Sequence, residues 1–175
     1  MDAPESLHPC ARCAQMQKTC CQRAEILVTA GDIARIGAHT GREGFWSLRQ
    51  PNDAAYLEDD SDDPNWLAYT TDGNGRRRML ERKPSGDCTF LGDAGCVLPV
   101  EVRPIVCRLY PFAYNERGLD GMDDDYCPRE KLIPRNKPGA SMLTVLGMDK
   151  SDGERWRAQL YGELRREWSE RCGSA

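Results

Sequence analysis

The sequence predicts an α+β fold: a small single domain over residues 1–175, made of short helices and β-hairpins organised around a cysteine-ligated metal site. Its helix and strand signals are short and broken by turns instead of alternating as βαβ units. At 175 residues the chain suits one domain with its own apolar core. Eight of its nine cysteines fall into two groups, Cys10-x2-Cys13-x6-Cys20-Cys21 and Cys88-x7-Cys96-x10-Cys107-x19-Cys127.

Residues 10–21 read as a polar, cysteine-bearing opening that a bound group would order. Cys20 and Cys21 are adjacent, so their side chains diverge. They can serve two neighbouring centres, or one can ligate while the other packs beside it. Ala24 to Val28 has strand character, and Thr29 with Asp32 forms a capping box for a short helix carrying Ile33 and Ile36 and stopping near Gly37. Thr40 and Glu43 repeat that arrangement, which predicts a second helix through Phe45, Trp46 and Leu48 that ends before Pro51.

The run from Glu58 to Pro64 is too acidic for burial and lacks the glycine and closing glutamate of a calcium loop, so it reads as a solvated loop. Trp66 to Thr70 and Arg78 to Glu81 flank Asp72-Gly73-Asn74-Gly75, a strong hairpin signal, with Arg76, Arg77 and Arg78 as solvated surface beside it. A second turn at Gly92 to Gly95 would bring Cys88 and Cys96 together. Pro104 starts a short helix that holds Cys107 and that Pro111 ends. A mobile, Asp-rich stretch then leads to Cys127-Pro128, and residues 134–140, with two prolines, form a connector. Ser151 and Glu154 cap a C-terminal amphipathic helix over 151–172, whose stripe of Trp156, Leu160, Leu164 and Trp168 docks on the domain.

A net charge of -4 with 30% charged residues indicates a soluble, mildly acidic chain with no adaptation to nucleic-acid phosphates. No apolar run approaches the roughly 18 residues of a membrane span, and no lipidation motif is present. The opening Met-Asp-Ala-Pro-Glu-Ser has neither the basic nor the apolar region of a secretory signal, so the expected compartment is the cytoplasm. A disulfide framework needs an oxidising compartment; in the cytoplasm the cysteines stay reduced and available as ligands.

The candidate metal ligands are Cys10, Cys13, Cys20, Cys21, Cys88, Cys96, Cys107 and Cys127. Thiolates suit zinc, iron or an iron–sulfur cluster, whereas calcium, magnesium and manganese prefer oxygen. Zinc ribbons usually carry two Cys-x2-Cys knuckles; the single one here tips the choice toward iron–sulfur. His8 is a minor candidate beside Cys10, His39 lies away from the motifs, and Cys172 reads as a surface thiol. Arg103, Arg108 and Tyr110 flank Cys107, where cations and hydrogen-bond donors would lower thiolate basicity. Equally, the arginines can pair with carboxylates and Tyr110 can fill the core.

The opening Cys-x2-Cys and Cys-Cys, followed by Thr29-x2-Asp32-Ile33-x-Arg35, Cys88-Thr89-Phe90-Leu91, Cys96-Val97-Leu98, Arg103-Pro104-x2-Cys107-Arg108-Leu109-Tyr110-Pro111-Phe112 and Cys127, resembles the YkgJ-like cysteine-cluster family over residues 10–127. The resemblance implies a zinc- or iron-chelating domain. Flagellin lysine N-methylases are grouped with that family, which by analogy implies methyl transfer from S-adenosylmethionine, although no Gly-rich loop after a strand offers a nucleotide site here. Three expectations follow. The chain is a metal or iron–sulfur protein passing electrons or metal to a protein or peptide partner, a metal- or cluster-dependent enzyme acting on a peptide or protein side chain, or a zinc-stabilised interaction module.

Overall fold

The computed structural model describes residues 8–16, 19–123 and 127–173. Among them, short helices and three two-stranded antiparallel sheets give the expected mixed α and β character. The Met1 to Ser6 opening and Asp124 and Asp125 of the Asp-rich stretch lie outside the described residues. Among those described, no helix is long and apolar enough to cross a membrane.

Among its described residues, the cysteine-bearing opening is helical over 9–16 and from 20 onward. Pro9 suits a first helical position, and α1 (Pro9–Met16) buries Ala11 and Cys13. Thr19 N donates to Gln22 Oε1 at 2.9 Å and starts α2 (Cys20–Arg23). The Thr29 capping box forms as expected: Asp32 N donates to Thr29 Oγ1 at 2.9 Å, and Thr29 N donates to Asp32 Oδ2 at 3.1 Å. The resulting α3 (Ala30–Thr40) runs past Gly37 because Gly41, at φ 64°, supplies the left-handed stop.

The second predicted helix is instead a strand. Residues 46–49 form β1 (Trp46–Arg49), antiparallel to β2 (Arg77–Leu80), with Trp46 opposite Leu80 and Arg49 opposite Arg77. The edge of β2 is free to pair because its predicted hairpin partner coils into α4 (Trp66–Thr70), burying Tyr69 and Thr70. The turn between them still closes, with Asp72 N donating to Arg76 O at 2.9 Å. The Ala24 to Val28 segment is extended, and β2 bonds to it through Val28 N to Arg78 O at 3.0 Å and Leu80 N to Ile26 O at 2.9 Å.

Two residues read as solvated surface are buried. Arg77 lies over the Tyr56 ring, 5.3 Å from its centre, and donates to Tyr56 O at 3.3 Å. Asp63, inside the acidic run, accepts from the Tyr161 hydroxyl.

Downstream come β3 (Leu91–Gly92), β4 (Gly95–Cys96) and α5 (Ile105–Leu109). Part of the stretch read as mobile is the hairpin of β5 (Phe112–Asn115) and β6 (Gly118–Met122), closed by Asn115 Oδ1 accepting from Arg117 N at 2.9 Å and Gly118 N at 3.2 Å. Short helices α6 (Arg129–Leu132) and α7 (Met142–Leu146) bracket the predicted connector. The last helix, α8 (Lys150–Gly173), is capped by Asp149, whose Oδ1 accepts from Asp152 N at 2.9 Å, and not by Ser151. Its stripe docks largely as expected: Trp156, Leu160 and Leu164 are buried against Leu27, Tyr69, Ile105 and Leu109, while Trp168 stays exposed, edge-on to Tyr69.

Polar contacts fasten α3 and β2 to α8. Arg35 pairs with Glu163 at 2.6 Å, Ala30 N donates to Glu167 Oε1 at 2.7 Å, and Arg78 pairs with Glu167. Burial works against the Glu163 carboxylate, but Arg35, Thr29 and Gln159 together hold it below its ordinary value of 4.5. At Glu116 the Asn65 amide, aided by Arg165 and Tyr69, does the same. Both groups therefore contribute stability that is complete above their ordinary value of 4.5 and lost as pH falls through their lower folded values. An acid titration followed by tryptophan fluorescence is expected to unfold the protein along that limb, and Glu163→Gln to make the limb shallower. An unchanged limb in the variant would assign acid unfolding to other groups.

Candidate metal centre

A cavity of about 460 Å³ lies between the cysteine-bearing segments, and all eight candidate ligands line it. Local structure explains how each arrives. Cys10 and Cys13, one helical turn apart on α1, share a face. Cys20 and Cys21 open α2, and Cys88 N donates to Cys21 O at 2.8 Å, tying the second cysteine group to the first. The Gly92 to Gly95 turn closes the β3–β4 hairpin, but it sets Cys96 opposite Leu91 and not opposite Cys88, which instead bridges to Arg82. Gly95 there has φ 101°, and a methyl group on it would meet Ala11 at 3.7 Å, so α1 seats directly on this turn. Cys107 projects from α5, and Cys127 precedes α6.

Cys13 and Cys88 are buried, Cys20, Cys21, Cys96, Cys107 and Cys127 half-buried, and Cys10 exposed at the rim. The described residues include all nine cysteines, and no disulfide joins any of them. Other walls are largely apolar, among them Ile26, Leu80, Phe90, Leu98 and Val106. Glu25 is the one carboxylate among the lining residues, and its oxygens already accept from Arg49 at 2.9 Å and from Asn52 N at 2.8 Å. Apart from His8 at the rim, the donor set offered to a metal is therefore sulfur. Among the described residues, no three His, Cys, Asp or Glu side chains stand close enough together to hold a metal ion. Ligation would require the thiols to swing inward from the cavity walls.

The electrostatics show what an ion would relieve. Burial pushes the Cys13 and Cys88 thiols up to about 11, and neighbouring cysteines add to the rise. Burial also carries Cys107 well upward. At Cys10 desolvation leads, with Cys21 next and Arg103 opposing, and the thiol moves upward. A hydrogen bond between Cys20 and Cys21 raises Cys20 and lowers Cys21 to about 7, burial opposing that fall and Arg103, Thr19 and Arg82 adding to it. Clustered thiols in apolar walls resist ionisation singly, and a divalent cation among them reverses that preference.

The three flanking residues divide. Arg103 Nε donates to Leu98 O at 2.9 Å, and its charge bears on Cys10, Cys21 and Cys96. Tyr110 places its hydroxyl 3.5 Å from Cys127 Sγ. Arg108 instead takes the carboxylate-pairing role: it is buried, donates to Arg103 O at 2.8 Å and pairs with Glu101 at 3.2 Å. His8 lines the rim, where its Nδ1 accepts from Cys10 N at 3.2 Å. Cys172 is exposed on α8. Sequence reasoning missed Arg82, which donates to Gly86 O at 2.7 Å and to Ala24 O and acts electrostatically on Cys21 and Cys88. No local motif marks it, since its position depends on the bridge that pairs Arg82 with Cys88.

No family model matches the chain, and no curated protein or solved structure matches it.

Proposed function

We propose that this is a metal-binding cysteine-cluster protein, carrying a thiolate-ligated iron–sulfur cluster, or zinc or iron, and passing electrons or metal to a protein partner. One observation carries the proposal: eight thiols from segments scattered between residues 10 and 127 line a single, otherwise largely apolar cavity. Inert buried cysteines behave as small apolar side chains and have no reason to gather in one place. Cys10, Cys13, Cys20, Cys21, Cys88, Cys96, Cys107 and Cys127 would hold the metal, which supplies Lewis acidity or redox activity. Arg82 and Arg103 offset the thiolate charge and, with Tyr110 beside Cys127, tune the site through the sulfurs. The resemblance to the YkgJ-like family points the same way.

Protein purified without oxygen is expected to be brown, with visible absorption and acid-labile sulfide, if the cysteines carry a cluster, and colourless with bound zinc if they carry that ion. Cys172→Ser should keep its full metal content, and Cys88→Ser or Cys107→Ser should lose most of it. Folded protein with neither iron nor zinc by elemental analysis, and no uptake of either after anaerobic reduction, would overturn the proposal.

A further inference from the structure

The eight thiols do not form one undivided set. Cys88 belongs to an apolar cluster with Phe45, Phe90 and Leu98, and Cys21, Cys96 and Cys107 pack against that same cluster. Cys13 belongs to a different one, with Leu132 and Met142, and Cys127 packs there. Cys10 shares its helix face with Cys13, and its thiol is within electrostatic reach of Cys21, Cys127 and Cys13. Cys21 is bonded to Cys88 through its carbonyl, while Cys10 and Cys13 sit on α1 and Cys127 just precedes α6, with α1 also seated on the turn that carries Cys96. Cys20 packs in neither cluster, and its adjacency to Cys21, which belongs with Cys88, leaves it as the fourth sulfur of the Cys10, Cys13 and Cys127 group.

Coordination chemistry makes the same division. A tetrahedral thiolate site takes four sulfurs at about 2.3 Å from the metal, so eight exceed what one ion can use. A cavity of about 460 Å³ is also far larger than one such ion needs. Because side chains on adjacent residues diverge, a Cys-Cys pair can send one sulfur to each of two neighbouring sites.

We propose that the cavity holds two separate four-thiolate centres, Cys10, Cys13, Cys20 and Cys127 forming one and Cys21, Cys88, Cys96 and Cys107 the other, with the adjacent pair Cys20 and Cys21 divided between them. This rests on the metal-binding reading above and adds the number of centres and their ligands. Each group has one buried thiol, Cys13 in the first and Cys88 in the second, and the first reaches the surface through Cys10 at the rim. Arg103 reaches thiols of both groups.

The test titrates reduced, metal-free full-length protein with zinc under anaerobic conditions and reads the protected thiols by alkylation and mass spectrometry. Zinc gathers four thiolates around one tetrahedral ion, so its uptake reports which sulfurs can be brought together. The expected result is uptake of two zinc ions per chain, with protection of thiols in two blocks of four and Cys172 reactive throughout. Cys20→Ser should then abolish protection of the Cys10, Cys13 and Cys127 block alone, and Cys21→Ser that of the Cys88, Cys96 and Cys107 block alone. The wild-type titration needs no variant to fold. One zinc ion protecting a single set of four would overturn the two-centre proposal and leave metal binding intact, while the opposite variant pattern would overturn the stated division of Cys20 and Cys21. No zinc uptake at all would overturn both this and the metal-binding reading.

Discussion

Removing metal with a chelator is expected to melt α1, α6 and the segment around Cys127 while leaving the α8 core standing. The lobe that holds Cys10, Cys13 and Cys127 has three buried apolar side chains of its own, Cys13, Leu132 and Met142. At about 1.5–3 kcal/mol each, they contribute roughly 5–9 kcal/mol. Fixing the eight residues of α1 alone costs roughly 8–16 kcal/mol in backbone entropy, at about 1–2 kcal/mol per residue. The lobe is therefore marginal without a further restraint, and metal ligation is one that couples directly to folding. The other large cluster, Leu27, Tyr69, Ile105, Leu109, Trp156, Leu160, Tyr161 and Leu164, contains no cysteine and keeps its contacts when metal leaves. Hydrogen exchange should show α1 and α6 amides losing at least a hundredfold in protection after chelation, with the middle of α8 changed by much less. Equal protection of α1 with and without metal would show that the cysteines do not organise this lobe.

The legible parts of the sequence were those whose signal is local. Thr29 and Asp32 lie three positions apart and satisfy each other's backbone whatever surrounds them, so the start of α3 was readable to the residue. The cysteine set was readable because few other reasons exist for so many thiols in one chain. The failures occur where a distant partner decides. Trp66 to Thr70 has strand-like composition but coils, because the Trp66 ring packs edge-on against Tyr114 and Tyr69 is buried beside α8. Once that arm coils, β2 pairs with residues 46–49, and the helix predicted there is displaced by a strand. Arg77 could not be told from its exposed neighbour Arg76 by charge patterning, since its burial depends on the Tyr56 ring, 21 residues away in sequence. Within the site, Cys20 and Cys21 were readable as a pair, but the Cys21 to Cys88 backbone bond, on which their proposed division rests, is encoded by no spacing.

Asp32→Ala is expected to be the most destabilising single substitution outside the cysteines, at about 3–5 kcal/mol. The carboxylate is fully buried and joins three elements. It caps α3 through Thr29 N, accepts from Ile105 N at the start of α5 at 3.1 Å, and pairs with Arg35 at 2.7 Å, with Arg108 at 4.0 Å. Alanine would orphan the Ile105 amide, at about 1–3 kcal/mol, remove the cap, at about 0.5–2 kcal/mol, and leave buried Arg108 without its nearest carboxylate beyond Glu101. These losses share one side chain and do not add in full. Burial raises the Asp32 carboxyl above its ordinary value despite the Thr29 amide and Arg35, in the opposite sense to Glu163, so its charge carries a desolvation cost that these donors only partly offset. Asparagine, which keeps an acceptor and carries no charge, should therefore lose about half as much as alanine. Urea unfolding with unchanged m-values measures both variants. Because Ile105 begins the helix that carries Cys107, Asp32→Ala should also weaken zinc uptake at the centre containing Cys107 and spare the other. An alanine variant within about 1 kcal/mol of wild type, or an asparagine variant as damaged as alanine, would show that the buried charge and not the hydrogen-bond geometry governs this junction, or that the junction carries little stability at all.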